Sequence, residues 1–419
     1  MEKLTLRELA IPMIKAIDSF NYLLKSHHRR VAIAAFHIGR KLNLSNDRLL
    51  DLIIAASLHD IGALSVQERD MLIQEDVTNP EPHCIMGYRM LSSFDVFDPI
   101  SKIIKYHHIK YEDYLKMANK EDVPFNCFIV HLADRVDVMI SPDQFILTQK
   151  AKILSHIGDR TGTIFHPDVY DAFVEVSKND IFWIDINNMS IEQLFKELDF
   201  TFDIELNFDM ILSFALTMSK IVDYRSRFTA THSYTVAQLA ALIGSYFNWD
   251  EIDCKKLKIA GYFHDIGKIG IDPAIIEKNG KLSDEEFQMI KLHPYFTDQI
   301  LNELQDSEWF KDIVDWASNH HENVKGTGYP HGYQDTEVHM GTKILAFSDV
   351  ITALLEDRPY REGLPIEKAF NIIKGEIAPK ISLEMFSEIE KHQDEINDVV
   401  ALCKTYSSEE YQKGKAIFH

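Results

Sequence analysis

Apolar residues recur at helical spacing along nearly the whole chain of 419 residues. Two runs are especially informative. Leu49, Leu50, Leu52, Ile53, Ile54, Ala55 and Leu58 lead straight into His59-Asp60, and Leu257, Ile259, Ala260, Tyr262 and Phe263 lead straight into His264-Asp265. Each run reads as a buried helix that delivers a His-Asp pair at its C-terminal end. Gly62 and Gly267 then read as helix stops, because glycine tolerates the left-handed exit conformation. The segment from Phe208 to Val222 lacks a polar face, which predicts a helix buried between domains. Period-2 alternation is scarce. Ile181-Phe182-Trp183-Ile184-Asp185-Ile186 is the one stretch that offers a strand, with a buried turn as the alternative. The predicted fold class is all-α.

The His-Asp pairs belong to a longer pattern that occurs twice. One copy reads His27, His59-Asp60, His83, His107-His108, Asp134, and the other reads His232, His264-Asp265, His293, His320-His321, Asp349. The first step is 32 residues in both copies, and the later gaps are 24 against 29, 24 against 27 and 26 against 28. Scattered histidines do not fall into such register. Two tandem helical domains explain it, one spanning residues 1–203 and the other residues 204–419. No Gly/Ser-rich or Pro-rich linker marks the join, so the repeat itself places it.

Composition narrows the function. The net charge of −21 repels polyanions, which argues against binding polymeric nucleic acid. A small anion remains compatible, since metal ions and local cations can reverse the sign inside one pocket. The four cysteines, Cys84, Cys127, Cys254 and Cys403, form no CxxC pair and read as reduced buried thiols. Any metal must therefore be held by imidazole and carboxylate. No apolar run reaches the length of a membrane span, and the N-terminus has no signal-peptide character, so a cytoplasmic location is expected.

Histidine and aspartate suit iron, manganese, nickel or zinc. A carboxylate can bridge two cations where an imidazole cannot, which gives Asp265 a distinct place in the series. Paired cations stabilise the attacking and leaving oxygens of a phosphoryl transfer. Lys268, four residues after His264, can meet a phosphate oxygen. The segment Gly326-Thr327-Gly328-Tyr329-Pro330-His331-Gly332 follows His320-His321 closely and specifies a tight loop. Its glycines admit a ligand close to the backbone, and Tyr329 offers a ring for stacking. Arg358 and Arg361 suit phosphate or guanine contacts. His37, His131, His166, His331 and His339 read as ordinary core or surface residues.

These segments together resemble a known family. The second copy is similar to an HD-GYP domain, a bacterial branch of the HD phosphohydrolases. The resemblance rests on His232, on His264-Asp-Ile-Gly-Lys268, on His293-Pro294, on His320-His321 with the Gly-Tyr-Pro loop, and on Asp349 with Arg358-Pro-Tyr-Arg361. It implies tandem HD-domain helical bundles and hydrolysis of a cyclic dinucleotide, cyclic di-GMP or 3′,3′-cyclic GMP-AMP, to a linear 5′-phosphorylated product. It implies a metal centre held by His232, His264, Asp265, His293, His320, His321 and Asp349, with Asp265 bridging. Iron or manganese are the family's metals. Lys268, Tyr329, Arg358 and Arg361 are the implied substrate contacts, and Asp265 and Lys268 the implied catalytic pair. Trinuclear relatives carry a glutamate four residues before the first histidine. Phe228 stands there in this chain, Ser226 replaces a common acid, and Thr352 replaces a common aspartate, so two metal ions are expected. The first copy resembles a diverged HD domain, with Ala63 in place of Lys268 and no Gly-Tyr-Pro loop. It keeps a second candidate metal set in His27, His59, Asp60, His83, His107, His108 and Asp134, and a homodimer is a further expectation.

Overall fold

The structure, a computed structural model, describes residues 4–18, 26–63, 80–198, 203–204, 207–223, 231–276, 278, 280–304, 307–357 and 362–415. Its architecture is all-α, as the periodicity predicts. Among the described residues the one strand ladder is a short antiparallel pair, Leu4–Thr5 with Asp203–Ile204, in the register Leu4 to Ile204. No described helix is long and apolar enough to cross a membrane.

Both halves are built alike. In the first, the His27–Lys41 helix packs against Asn46–Leu58 and Asn126–Val138. In the second, His232–Tyr246 packs in the same way against Glu251–Phe263 and Met340–Leu355. The helices that end in the His-Asp pairs form for readable reasons. Leu52, Ile53, Ile54, Ala55, Ala56 and Leu58 are fully buried, as are Leu257, Ile259, Ala260 and Phe263. At the other end of the second helix, the Asp250 carboxylate accepts the Asp253 N–H at 2.8 Å, and the first turn is acidic, which suits the helix dipole.

The halves exchange their opening helices. Leu6–Asp18 packs on Asn46–Leu58 of its own half, and also on the Ile266–Gly270 turn and the His293–Leu301 helix of the other. Its Leu9, Ala10, Met13, Ile14 and Ala16 are completely buried. Phe208–Asp223 mirrors this, packing on Glu251–Phe263 and reaching across to Glu81–Leu91. The Phe214 ring lies 6.0 Å from Phe94 in the first half and 6.2 Å from Phe263 in the second. Ser93 Oγ and Thr217 Oγ1 share a hydrogen bond of 3.2 Å across the same seam. The expected burial of the Phe208 segment between the halves is therefore observed.

Two expectations need correction. Ile181 to Ile186 is neither strand nor turn but part of the Asp180–Asn188 helix. Phe182, Trp183 and Ile186 are buried at helical spacing while Ile181 and Ile184 face solvent, and the Asn179 side chain caps the start by accepting the Ile181 N–H at 3.0 Å. The apolar density hid the period. Gly62 and Gly267 are also not left-handed helix stops, since neither has a positive φ. They are required by close approach. A Cβ at Gly62 would lie 2.1 Å from the His83 carbonyl oxygen, and one at Gly267 would lie 2.0 Å from that of His293. In both halves a glycine thus lets the next ligand-bearing helix abut the His-Asp turn.

This contact sets the first testable outcome. Gly267→Ala should lower stability by about 1–3 kcal/mol, because backbone stands where its methyl must go. Gly375→Ala, whose Cβ meets nothing within 4 Å, should be neutral or stabilising by up to about 1 kcal/mol. Thermal unfolding of the two variants beside the parent measures the difference.

Candidate metal centre

The second half brings all seven expected ligands to one place. His264 and Asp265 follow the Glu251–Phe263 helix, His232 opens His232–Tyr246, His293 opens His293–Leu301, His320 and His321 follow Glu308–Ser318, and Asp349 sits inside Met340–Leu355. His232, His264, Asp265, His293 and His320 are buried, and Asp349 and His321 are partly accessible. Within this group, His232, His264 and Asp349 could hold a metal ion, as could His264, Asp265 and His320, and His293, His320 and His321.

The imidazoles are oriented by their own backbone. Nδ1 of His264 faces the Gly261 carbonyl at 2.8 Å, that of His293 faces Ile290 at 2.7 Å, and that of His320 faces Ala317 at 2.7 Å. A carbonyl only accepts, so each Nδ1 carries the proton and each Nε2 presents a lone pair to the centre. The consequence is unfavourable without a cation. Nε2 of His293 and Nε2 of His320 face each other at 3.4 Å, with no proton left to place between them. Nε2 of His264 and Oδ1 of Asp265 are buried without a hydrogen-bond partner. Lone pairs aimed at a common point, beside orphaned buried acceptors, fit divalent cations.

The carboxylates complete the site. Asp265 Oδ2 lies 3.3 Å from His264 Nε2 and 3.8 Å from His232 Nε2, while Oδ1 lies 3.4 Å from His293 Nε2. Its two oxygens thus look toward different imidazole groups. Burial alone would raise this carboxyl, but His264 and Lys268 beside it hold it well below the usual carboxylate range. Burial pushes His293 down to about 3 and His320 down to about 4, so both are neutral ligands at pH 7. Asp349 Oδ1 meets His232 Nε2 at 3.1 Å.

Around this centre stand the residues expected to face a substrate. The Lys268 ammonium pairs with Asp265 Oδ2 and stays partly accessible. The Gly-Tyr-Pro loop is pinned from below by the buried Glu322. Its carboxylate accepts the backbone N–H groups of His331, Gly332 and Tyr333 at 2.6, 3.0 and 3.0 Å. Gly328 must be glycine, since a Cβ there would lie 2.6 Å from Glu322 Cα. The loop lays the Tyr329 ring on His321, with centroids 4.7 Å apart and planes 29° apart. Lys291 Nζ sits 5.0 Å from the centre of that ring. Arg358 and Arg361, like Phe228 and Ser226, lie outside the described residues.

The first half gathers its own set. Asp60, His83, His107 and His108 could hold a metal ion, as could His27, His59 and Asp60. Asp134 is close by, with Oδ1 3.6 Å from His27 Nε2. His37, His131, His166, His331 and His339 join none of these groups.

Four neighbouring residues, Glu356, Asp137, Glu322 and Lys291, were given no role from the sequence. Glu356 accepts from His232 Nδ1 at 3.0 Å and from the Thr231 hydroxyl at 2.9 Å. In the first half Asp137 does this for His27, at 2.6 Å. Thr352 occupies the position matching Asp137, so the carboxylate has moved one helical turn onward to Glu356. The available signal was an acid four residues after the missing one. Glu322 and Lys291 had no signal beyond their nearness to ligand histidines. Because such an orienting carboxylate commonly carries ~10–100-fold of metal affinity, Glu356→Gln should weaken metal binding by about that factor. Chelator competition on the full chain measures it. His339→Ala, which removes only a pair with Asp315 outside the cluster, should leave the affinity unchanged.

Known proteins point the same way. Models of the HD domain match residues 24–139 and 216–380. The chain is similar to the 3′3′-cGAMP-specific phosphodiesterase 1 of Vibrio cholerae, 29% identical across 89% of this chain and 88% of that one. It is also similar to a cyclic di-GMP phosphodiesterase of Thermotoga maritima, 31% identical over 46% of this chain and 52% of the relative. A crystal structure of a cyclic GMP-AMP-specific phosphodiesterase of Vibrio cholerae, V-cGAP3, shares the fold with a TM-score of 0.63 at 23% identity, covering 94% of this chain and 98% of that one. With the ligand frame present twice and both halves matched, the chain belongs to the HD-domain family, with one HD domain in each half.

Proposed function

We propose that the C-terminal half, residues 204–419, is a metal-dependent phosphodiesterase. It opens a cyclic dinucleotide to a linear dinucleotide with a 5′-phosphate, in bacterial second-messenger signalling in the cytoplasm. The observation that carries this is the convergence of imidazole nitrogens and two carboxylates beside a partly accessible lysine paired with Asp265 and a stacked tyrosine. Between the two candidate substrates, 3′,3′-cyclic GMP-AMP is favoured. The relatives that match 89% and 92% of this chain are named for it, while relatives named for cyclic di-GMP match 46% and 32%.

Two ions fit the donor set, iron or manganese first, with nickel or zinc as alternatives. His232, His264 and Asp349 would hold one, and His293, His320 and His321 the other, with Asp265 bridging. When bound, such cations lower the pKa of water and neutralise phosphate. The chain's own residues do the rest. Lys268 is placed to move from Asp265 toward a phosphate oxygen and to offset the charge that builds as phosphorus is attacked. Water adds to phosphorus in line with the ribose 3′ oxygen, the P–O3′ bond breaks, and the departing 3′ oxygen takes up one proton of the water to become a hydroxyl, leaving the phosphate on the 5′ oxygen. Tyr329, braced by His321 from below and Glu322 through the loop, presents a face for a purine ring. Lys291, held over that ring, adds a cation at the rim.

A product assay tests the reading. The chain loaded with manganese or iron should convert 3′,3′-cyclic GMP-AMP to its linear form, and His264→Ala with Asp265→Ala should lower kcat by at least ~1000-fold while helicity survives. Tight binding with the ligand unchanged after long incubation would instead identify a receptor. Lys291→Ala should raise KM by about 3- to 10-fold with little change in kcat, the loss expected for one partly exposed cation–π contact.

A further inference from the structure

The N-terminal half repeats the ligand frame without the substrate machinery. Ala63 stands where the second half has Lys268, and Glu81 stands where it has Lys291. We propose that this half holds a divalent cation of its own, in a structural site formed by Asp60, His83, His107 and His108.

Four donor atoms of these residues lie within 4.8 Å of one another. His107 Nδ1 donates to the Ile104 carbonyl at 2.6 Å, so its Nε2 lone pair points at His83 Nε2, 3.2 Å away. Asp60 is 5% exposed, and its Oδ1 lies 3.4 Å from His83 Nε2 and 3.8 Å from His107 Nε2 with no hydrogen-bond partner. His108 Nε2 is likewise buried and unpartnered. Three imidazoles and one carboxylate make a tetrahedral donor set for zinc or another first-row cation.

The other side of the pocket is shut. Arg135 Nε and Nη2 both donate to Asp134 Oδ2, at 3.0 and 2.6 Å. The corresponding residue of the second half is Val350. A guanidinium is always charged, so it neutralises the carboxylate whose counterpart, Asp349, faces His232 in the second half. The side chain of Asp134 is 2% exposed, against 16% for Asp349. A metal site with four protein donors has the character of a structural site, not a catalytic one. Its ligands come from the turn after Asn46–Leu58, from the Glu81–Leu91 helix and from the turn after Asp98–Tyr106. Glu81–Leu91 also packs against Phe208–Asp223 of the second half. An ion here therefore ties three segments together on the side of the molecule where the halves meet.

The test uses metal content and unfolding of the full chain and does not depend on activity. A variant carrying His264→Ala and Asp265→Ala is loaded with Zn²⁺ or Mn²⁺, freed of unbound metal by gel filtration, and assayed by elemental mass spectrometry. It should keep one ion per chain, and adding His83→Ala and His107→Ala should remove it. EDTA should lower the unfolding temperature of the first variant by about 5 °C or more, but leave that of the fourfold variant unmoved. Should the fourfold variant not fold, Asp60→Asn, which keeps the shape, replaces the two alanines and should also lose the ion. Arg135→Val should speed removal of the ion by EDTA. The proposal fails if the His264→Ala/Asp265→Ala chain retains no more metal than the chain altered in both halves, or if EDTA does not shift its unfolding.

Discussion

One interaction recurs throughout this molecule and sets its chemistry: a histidine at the end of a helix donates Nδ1–H to a carbonyl three residues earlier. His59 does so to Ala56, His107 to Ile104, His264 to Gly261, His293 to Ile290 and His320 to Ala317. The last carbonyls of a helix are short of intrahelical partners, and the ring N–H supplies a donor there. In a neutral ring the same bond fixes the tautomer and turns the Nε2 lone pair away from the helix. Capping and ligand orientation are a single contact. Once several helices of one bundle end around a common point, their lone pairs crowd together, and a cation relieves the repulsion.

The two halves share this frame and diverge in the charges placed around it. The second half adds Lys268 to the central carboxylate and leaves Asp349 partly open. The first half has Ala63 at the lysine position and covers Asp134 with Arg135. Even the carboxylate that steers the first histidine differs, Asp137 in one half and Glu356 in the other. Yet the halves are not independent. Each opening helix is buried partly in the other half, and Phe214 touches aromatic rings on both sides of the seam. Duplication with exchanged helices gives two differently charged pockets on one shared core.

Much of this was legible in the sequence because the informative features are local or periodic. Helical apolar spacing announced the class, and the repeated ligand order announced both pockets. The burial of the Phe208 helix followed from its lack of a polar face. What escaped depends on tertiary contact. Ile181 to Ile186 is so apolar that strand and helix periods cannot be separated until burial shows which residues face inward. Gly62 and Gly267 looked like helix stops, but their need for glycine comes from a carbonyl that is distant in sequence. Glu356 and Glu322 act through partners no spacing rule links to them: His232, 124 residues away, and the N–H groups of a loop about three turns downstream. Arg358 and Arg361 remain readings of the sequence, outside the described residues.

The proposed centre of this chemistry is a set of cations bridged by Asp265 and surrounded by the oriented imidazoles of the second half. Anomalous X-ray diffraction from crystals of the manganese- or iron-loaded chain, recorded on both sides of the metal's absorption edge, tests it most directly. Two anomalous peaks are expected in the second half, one beside each oxygen of Asp265, with His264 Nε2 and His293 Nε2 among the nearest atoms. A map without metal at Asp265, with those imidazoles turned away from one another, would contradict it.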